Sequence, residues 1–240
     1  MAGAKTGING QINNNIVTDG LVFYVDPAYK KSYPRSGTDV TDIVNSLSGS
    51  LINQTFFSSS NSGIWELDGT DDVIDCEGFN LSTSFSMNIW VNNDLSSPSY
   101  KAFLASPHYH ENGFNGNWVF RVTNNGSVSF ASYDGSSSQE YGEVSVLTMA
   151  AGTWYNLCCT CNGSTLNIYQ NGVSKGSFSH TKDLLDTTHG LFIGGEQPGH
   201  GTDHNSEWDG KISCIQMYNR ALSAGDVLQN YQAQKERFGL

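Results

Sequence analysis

The segment from Trp65 to Asp75 restricts the fold of this chain more than any other stretch of its sequence. It reads Trp-Glu-Leu-Asp-Gly-Thr-Asp-Asp-Val-Ile-Asp, which is an apolar-ended segment, a polar reversal and a second apolar segment. Gly69 suits backbone that must enter positive φ, and Asp tolerates such turns or bonds to their backbone. The segment therefore predicts a strand, a tight turn and a second strand.

Short β-patterned segments recur along the rest of the chain without helical segments between them. With 26 glycines and many polar turn residues, this pattern predicts a β-sandwich, in which residues 28–50 form a loop. The other predicted strands are Leu21–Asp26, Phe56–Phe57, Ser84–Val91, Ala102–Ala105, Trp118–Val122, Ser127–Ala131, Val144–Leu147, Trp154–Cys161, Thr165–Tyr169, Val173–Gly176, Leu191–Gly195 and Gly210–Tyr218.

A single helix is predicted near the end of the chain. Ser223 and Asp226 have the spacing of a capping box. The apolar side chains then follow helical periodicity, and two basic residues suit the C-terminal end of the helix dipole. The apolar positions are Ala224, Val227, Leu228 and Tyr231, and the basic residues are Lys235 and Arg237.

The sequence indicates one domain, residues 17–240, preceded by an arm, residues 1–16. The arm is polar, with isolated isoleucines at positions 8, 12 and 16. An anchoring or oligomer contact is one interpretation of the arm, and a simple disordered terminus is the other.

Charge and composition exclude several classes of function. The net charge of −11 over 240 residues leaves no basic stripe, which argues against a nucleic-acid partner. The sequence contains no run of 18 apolar residues, so we expect no membrane insertion. Residues Met1–Gly7 lack the apolar stretch of a signal peptide.

The five cysteines do not indicate a disulfide framework or a zinc site. Their number is odd, and Cys158-Cys159-Thr160-Cys161 has no second cluster at zinc spacing. We expect Cys159 and Cys161 to be small apolar fillers on the inner face of a strand. Free thiols of this kind indicate synthesis in a reducing cytoplasm.

Seven segments, in order, resemble the laminin-G-like, concanavalin-A-like lectin/glucanase superfamily. They are Asp19–Asp26, Asp68–Asp72, Ser84–Val91, Gly152–Leu157, Leu166–Gly172, Phe192–Gly195 and Trp208–Ile212 running on into Met217–Ser223. The resemblance implies an all-β, concanavalin-A-like jelly-roll β-sandwich of two antiparallel sheets with a short C-terminal helix. It also implies a domain used mostly for binding, often of carbohydrate.

The two ends of the chain resemble structural proteins of tailed phages, including cyanophages. The segments are Ile16–Gly20 and Asn230–Leu240. The likeness implies a non-enzymatic virion component, a capsid decoration, fibre or adhesin-like protein, made in the host cytoplasm and exposed on the particle surface. Its expected partners are other virion proteins, further copies of itself and host cell-surface glycan. A purely structural cement or assembly protein without sugar binding is the alternative.

Two loops carry the residue types that bind sugars. Aromatic faces stack on C–H patches, while amides and carboxylates bond paired hydroxyls. The candidate carbohydrate-binding residues are Tyr109, Asn112, Asn115, Trp118, Asp203, Asn205 and Trp208. Ordinary solvated loops are the alternative interpretation.

The same loops and the Asp-rich turn raise the question of a metal. His108, His110, His200 and His204 allow a transition-metal site, although exposed loop histidines are usually only solvated. The resemblance implies that some relatives bind calcium. In this chain the side chains with suitable carboxylate ligands are those of Asp68, Asp71, Asp72, Asp203 and Asp209. No spacing forms a complete calcium loop, so the sequence predicts no metal and no cofactor.

A glycan hydrolase of laminarinase-like fold is the enzymatic alternative. Such glucanases carry Glu-x-Asp-x-x-Glu on one strand, and this chain has Glu66-x-Asp68-x-x-Asp71. Residues i and i+2 of a strand share a face, but Gly69 and Thr70 end the strand before the third acid. The third acid is also one carbon shorter, so we expect no enzymatic activity.

Overall fold

The computed structural model describes residues 15–53, 55–78, 80–94, 100–106, 115–134, 139–144, 149–182, 184, 190–196 and 206–240. Within them lie sixteen strands in two antiparallel sheets and one α-helix. The first sheet contains β1 (Leu21–Val25), β4 (Phe56–Ser58), β5 (Ile64–Asp68), β7 (Ser84–Asn93), β12 (Trp154–Asn162), β13 (Thr165–Gln170), β14 (Val173–Ser179) and β16 (Asp209–Tyr218). The second contains β2 (Asp39–Thr41), β3 (Ser48–Ile52), β6 (Val73–Cys76), β8 (Lys101–Ala105), β9 (Asn115–Val122), β10 (Val128–Asp134), β11 (Gln139–Val144) and β15 (Leu191–Ile193).

The order of the strands is that of a jelly-roll-like sandwich, which confirms the predicted fold class. The first sheet runs β14-β13-β12-β7-β16-β5-β4, with β1 also paired to β16. The second runs β11-β10-β9-β8-β15-β6-β3-β2. Several neighbours in the sheets are distant in sequence, so the chain passes repeatedly between the two layers.

Alternating side chains of both sheets form the core between them. In β7, Phe85, Met87, Ile89 and Val91 are fully buried in this core, as their period-two spacing predicts. Cys159 and Cys161 lie in the same core, and all five cysteines are free and buried. The predicted burial of these two thiols on the inner face of the strand is confirmed.

The Asp-rich turn carries the chain from β5 in the first sheet to β6 in the second. Gly69 has a φ of 73°, and a Cβ atom there would lie 2.6 Å from the Cβ of Asp209. Both conditions require glycine. The segment is thus a strand, a tight turn and a strand, and the turn joins the two layers of the sandwich.

Helix α1 (Ala224–Gln234) begins with the predicted capping box, in which Ser223 accepts from the backbone of Asp226. Its buried face differs from the prediction, because Val227, Asn230 and Gln234 are buried while Leu228 is 41% exposed. The reason is that the helix lies over polar side chains on the outer face of the first sheet. The Trp90 ring NH donates to Gln234 Oε1 at 2.8 Å.

Three short strands differ from the sequence prediction. β2 lies inside residues 28–50, which the sequence predicts as a loop, and β3 begins there. β11 ends at Val144, the first residue of the strand predicted at 144–147, and residues 145–147 lie outside the described residues. Of the predicted arm, residues 1–14 lie outside the described residues. Ile16 is buried in a cluster with Val227 of α1, so the described end of the arm packs on the helix. No helix in the described part of the chain is long and apolar enough to cross a membrane.

Candidate functional site

The outer face of the second sheet carries a continuous row of cross-strand neighbours. Paired residues in adjacent strands place their side chains on the same face of a sheet. The row runs across seven strands through Ser50, Asp75, Phe192, Ala105, Val119, Ala131 and Tyr141. Its central members are buried, whereas Tyr141 at one end is 44% exposed. This end of the sheet therefore presents an aromatic side chain to solvent.

Tyr100, Arg121, Tyr141 and Glu143 form what we call the outer-face cluster. The Tyr141 hydroxyl donates to Glu143 Oε2 at 2.5 Å, and the Arg121 guanidinium lies 4.9 Å from the centre of the Tyr100 ring. Arg121 is 8% exposed and faces outward from β9, since its neighbour Phe120 points into the core. The cluster thus combines two phenol rings, a guanidinium that lies over one of them and a carboxylate.

The electrostatics of the cluster keep Tyr141 neutral. Burial, the hydrogen bond to Glu143 and the charge of Glu143 together raise the pKa of Tyr141 to about 12, against an opposing effect of Arg121. At neutral pH the phenol is therefore a hydrogen-bond donor beside an acceptor carboxylate. An aromatic face with a donor and an acceptor at its edge suits a ligand that offers C–H patches and hydroxyl groups.

Two of the sugar-binding residues predicted from the sequence are core residues, and the prediction is wrong for them. Trp118 and Trp208 are fully buried between the sheets. The Trp118 ring stacks on Phe130 at 6.0 Å, and the Trp208 ring lies 5.1 Å from Phe103. No sugar can stack on either indole.

Of the other predicted sugar-binding residues, only Asn115 lies within the part of the chain that the structure describes. Tyr109, Asn112, Asp203 and Asn205 lie outside the described residues, as do the four histidines of the metal hypothesis. Asn115 is the first residue of β9, where its backbone pairs with that of Asp134.

Asp68, Asp71 and Asp72 are the one group of possible metal ligands in the described residues, with carboxylate atoms within 4.8 Å of one another. The turn already uses two of them: Asp68 Oδ1 accepts from the Thr70 backbone at 2.9 Å, and Asp72 Oδ2 from the Asp68 backbone at 3.1 Å. A divalent cation would find oxygen ligands of the right chemistry here. The hydrogen bonds alone account for the arrangement of the turn.

Further acids extend this end of the sandwich into an acidic rim. Burial raises the pKa of Glu207, and so does the charge of Glu196, while Lys101 opposes them. The pKa of Asp209 is likewise raised, by burial and then by Asp94. Ionising these carboxyls costs more here than in water, because they repel one another while partly removed from solvent.

The acids of the glucanase-like motif do not form a row on one strand. Glu66 and Asp68 lie on the outer face of β5, because the intervening Leu67 points into the core. Asp71 lies beyond the turn, with its carboxylate close to Asp68 and Asp72. The third acid is thus part of the turn cluster, as the early end of the strand predicted.

A serine–histidine contact in the structure is closed to substrates. His180 Nε2 lies 2.8 Å from Ser132 Oγ, and its Nδ1 lies 3.6 Å from Cys161 Sγ. All three residues are fully buried. Because Ser132 belongs to the second sheet and Cys161 to the first, His180 ties the two layers together.

Comparisons with known proteins agree with this architecture. The family model described as the concanavalin A-like lectin/glucanases superfamily, of laminin-G type, matches residues 68–228. The chain belongs to this superfamily. A search of the curated proteins found no match.

Solved structures of the superfamily's fold resemble the chain at low sequence identity. Domain 4 of AbnA, an extracellular arabinanase from Geobacillus stearothermophilus solved with arabinotriose, has a TM-score of 0.68 at 16% identity, over 88% of this chain and 98% of that one. The binding domain of Paraclostridial Mosquitocidal Protein 1 has a TM-score of 0.66 at 13% identity, over 88% and 52%. Trypanosoma rangeli sialidase has a TM-score of 0.62 at 13% identity, over 92% and 34%.

Sequence reasoning missed the outer-face cluster of this superfamily member. Tyr141 and Glu143 alternate with Gly142 in the segment Gln-Glu-Tyr-Gly-Glu-Val, which has few of the apolar residues that identify a strand. One available clue was the spacing itself, since Tyr-x-Glu in a strand places both side chains on one face.

Proposed function

We propose that this domain is a non-enzymatic, lectin-like module that binds glycan at the outer-face cluster. The observation that carries the proposal is the exposed Tyr141 ring, hydrogen-bonded to Glu143 and next to the Tyr100–Arg121 stack. A sugar would stack on the phenol rings and bond its hydroxyls to the guanidinium and the carboxylate.

The comparisons support this proposal at the level of fold. The superfamily includes lectins by its description, and domain 4 of the arabinanase was solved with a bound arabinose trisaccharide. Function is set by the site and not by the fold, so the outer-face cluster has to be tested directly.

The test is binding of neutral and acidic oligosaccharides, arabinotriose included, to the wild-type chain and to Tyr141→Ala. Covering an aromatic ring is worth about 1.5–3 kcal/mol, so we expect Tyr141→Ala to weaken binding about tenfold to a hundredfold. Phe56→Ala is the matched control, because Phe56 is also exposed, at 62%, but lies in β4 of the first sheet. Equal affinities of wild type and Tyr141→Ala would refute the assignment.

We further propose that the domain is displayed on a phage particle and attached through its arm. The two segments that carry the phage resemblance contact each other in the structure, where the backbone NH of Val17 donates to Asn230 Oδ1 at 2.8 Å. This contact lies on the helix-covered face of the first sheet. An arm that starts there would leave the outer face of the second sheet free for a ligand.

Immunogold labelling of phage particles tests the attachment. Particles carrying a chain without residues 1–14 should lose the label, whereas a Tyr141→Ala chain should keep it. Label retained after the deletion would contradict an anchoring arm. A chain that stays on the particle but binds no glycan would support the alternative, a structural cement protein. Light scattering of the purified chain would establish whether its copies associate.

Absence of enzymatic activity is the last part of the proposal. The arrangement of Glu66, Asp68 and Asp71 supports it, because the third acid lies in the turn cluster instead of extending the row on β5. Incubation with β-glucans and arabinans should release no reducing ends. Release that disappears in Glu66→Ala would establish the glycan hydrolase instead.

A further inference from the structure

A groove of about 630 Å³ lies on the second sheet, at the end opposite the outer-face cluster. It is lined by parts of β3 and β6, including Ser48, Ser50 and Asp75, and by Glu77 and Gly190. Asp75 shares the cross-strand row of Tyr141 but lies five strands away, which is about 24 Å at the usual strand spacing. A single sugar unit cannot touch both ends, so the groove is separate from the outer-face cluster.

Asp75 is the notable group in the groove. Its side chain is half-buried and faces outward, since Ile74 and Cys76 on either side point into the core. Burial raises the pKa of its carboxyl. Among the described residues, no hydrogen bond or ion pair reaches this carboxylate. The described part of the fold therefore holds a partly desolvated acceptor towards the groove without supplying it a donor.

The other polar groups of the groove fit a ligand with one positive charge and several hydroxyls. Glu77 lies two residues after Asp75, just beyond the end of β6, and its Oε2 accepts from the Ser48 backbone NH at 2.9 Å. The hydroxyls of Ser48 and Ser50 can both donate and accept. The described lining residues include two carboxylates and no basic side chain, and the whole chain is acidic, so the groove attracts cations.

We propose that this groove is a second ligand site, which takes the protonated amine of an amino sugar. The ammonium group would donate to Asp75, and the ring hydroxyls would bond to Ser48, Ser50 and Glu77. Ligand pockets have volumes of about 300–1,000 Å³, and the groove lies within that range. The sugar part of this inference rests on the proposed glycan-binding function, whereas the ammonium part rests on Asp75 alone.

Calorimetric titration with a glucosamine disaccharide and with its N-acetylated counterpart at pH 6 tests the proposal. Acetylation removes the charge, and Asp75→Asn removes its partner while keeping the shape of the side chain. Each change removes a hydrogen bond between charged groups, so we expect the affinity to fall at least tenfold on acetylation of the sugar and at least tenfold in Asp75→Asn. Glu236→Gln is the matched control, because it removes an exposed carboxylate on a different part of the chain.

Two further variants separate this inference from the proposed function. Ser50→Tyr should block the groove without altering its charge, and Tyr141→Ala should leave amine binding unchanged. Equal affinity for the two disaccharides, or an unaffected Asp75→Asn variant, would overturn the inference. Calcium binding in the groove without amine binding would overturn it as well. Binding of neutral glycans that is lost in Tyr141→Ala would still support the proposed function.

Discussion

Replacement of Arg237 by alanine should destabilise the fold more than any surface substitution. The Arg237 Nη1 atom lies 2.7 Å from Asp26 Oδ2, and the Asp26 side chain is only 1% exposed. Its guanidinium also donates to several groups beneath the C-terminal segment. These are the carbonyls of Asn61 and Gly63, Ser213 Oγ and Cys214 Sγ.

The expected magnitude follows from what Asp26 keeps when the arginine is lost. Asp26 still accepts from the Tyr24 hydroxyl at 3.1 Å and from the Ala28 backbone at 2.9 Å, but its charge has no counter-ion. Breaking a buried pair in this way costs about 3–5 kcal/mol. For a chain of this size that corresponds to a fall in Tm of about 6–20 °C.

Urea unfolding followed by tryptophan fluorescence measures this loss. Arg35→Ala is the control, because Arg35 is exposed, donates to two carbonyls and lies 6.0 Å from the centre of the Phe57 ring, and it should cost less than about 1 kcal/mol. Adding Asp26→Asn to Arg237→Ala should recover part of the loss, since the unpaired charge is then gone. A loss for Arg237→Ala no larger than that for Arg35→Ala would refute the reasoning.

Three other substitutions, one of them with a control variant, test the packing, the charge and the cap. Gly142→Ala should lower the free energy of unfolding by about 1–3 kcal/mol in chemical denaturation, because the added Cβ would overlap the Phe178 ring. Its control, Gly225→Ala in the first turn of α1, should leave the stability unchanged or raise it. Asp75→Asn should raise Tm at pH 7, because a carboxyl whose pKa is raised in the folded state destabilises the fold when it is ionised. The gain in Tm should shrink as the pH falls through that raised pKa towards the ordinary value of 3.8. A lower Tm of the variant at pH 7 would contradict this. Ser223→Ala should cost about 0.5–2 kcal/mol by calorimetry through loss of the helix cap, and no change would show that the cap is dispensable.

The sequence was sufficient for the class of fold but not for every strand. Segments such as Ser84–Val91 alternate cleanly, so their inner faces follow from the alternation alone. β3 reads Ser-Gly-Ser-Leu-Ile and is only partly apolar. It is a strand because its neighbours in the second sheet pair with it, and pairing partners are not visible in a local pattern.

The candidate site is harder to predict, because an aromatic residue in a loop-like stretch resembles one in a core. The sequence prediction makes Trp118 a sugar platform, yet its spacing to Phe120 and Val122 is that of one strand face, and all three are in the core. That period is enough to assign Trp118 to the core. Tyr141 cannot be found by the same means, since its exposure depends on the register of β11 against β10.

The helix shows the same limit of pattern reasoning. The capping box defines its start, but Leu228 is exposed while Asn230 is buried. The Asn230 side chain bonds to the Tyr218 hydroxyl and to the Val17 backbone. Apolar periodicity assumes an apolar surface beneath the helix, and here that surface is partly polar.

The most direct test of the account is to map a bound glycan by amide chemical shifts in the isotope-labelled chain. We expect the best-binding neutral oligosaccharide to shift the amides of Arg121, Tyr141 and Glu143, and we expect these shifts to vanish in Tyr141→Ala. Shifts confined to the acidic turn at 68–72, with the outer face of the second sheet unaffected, would contradict it.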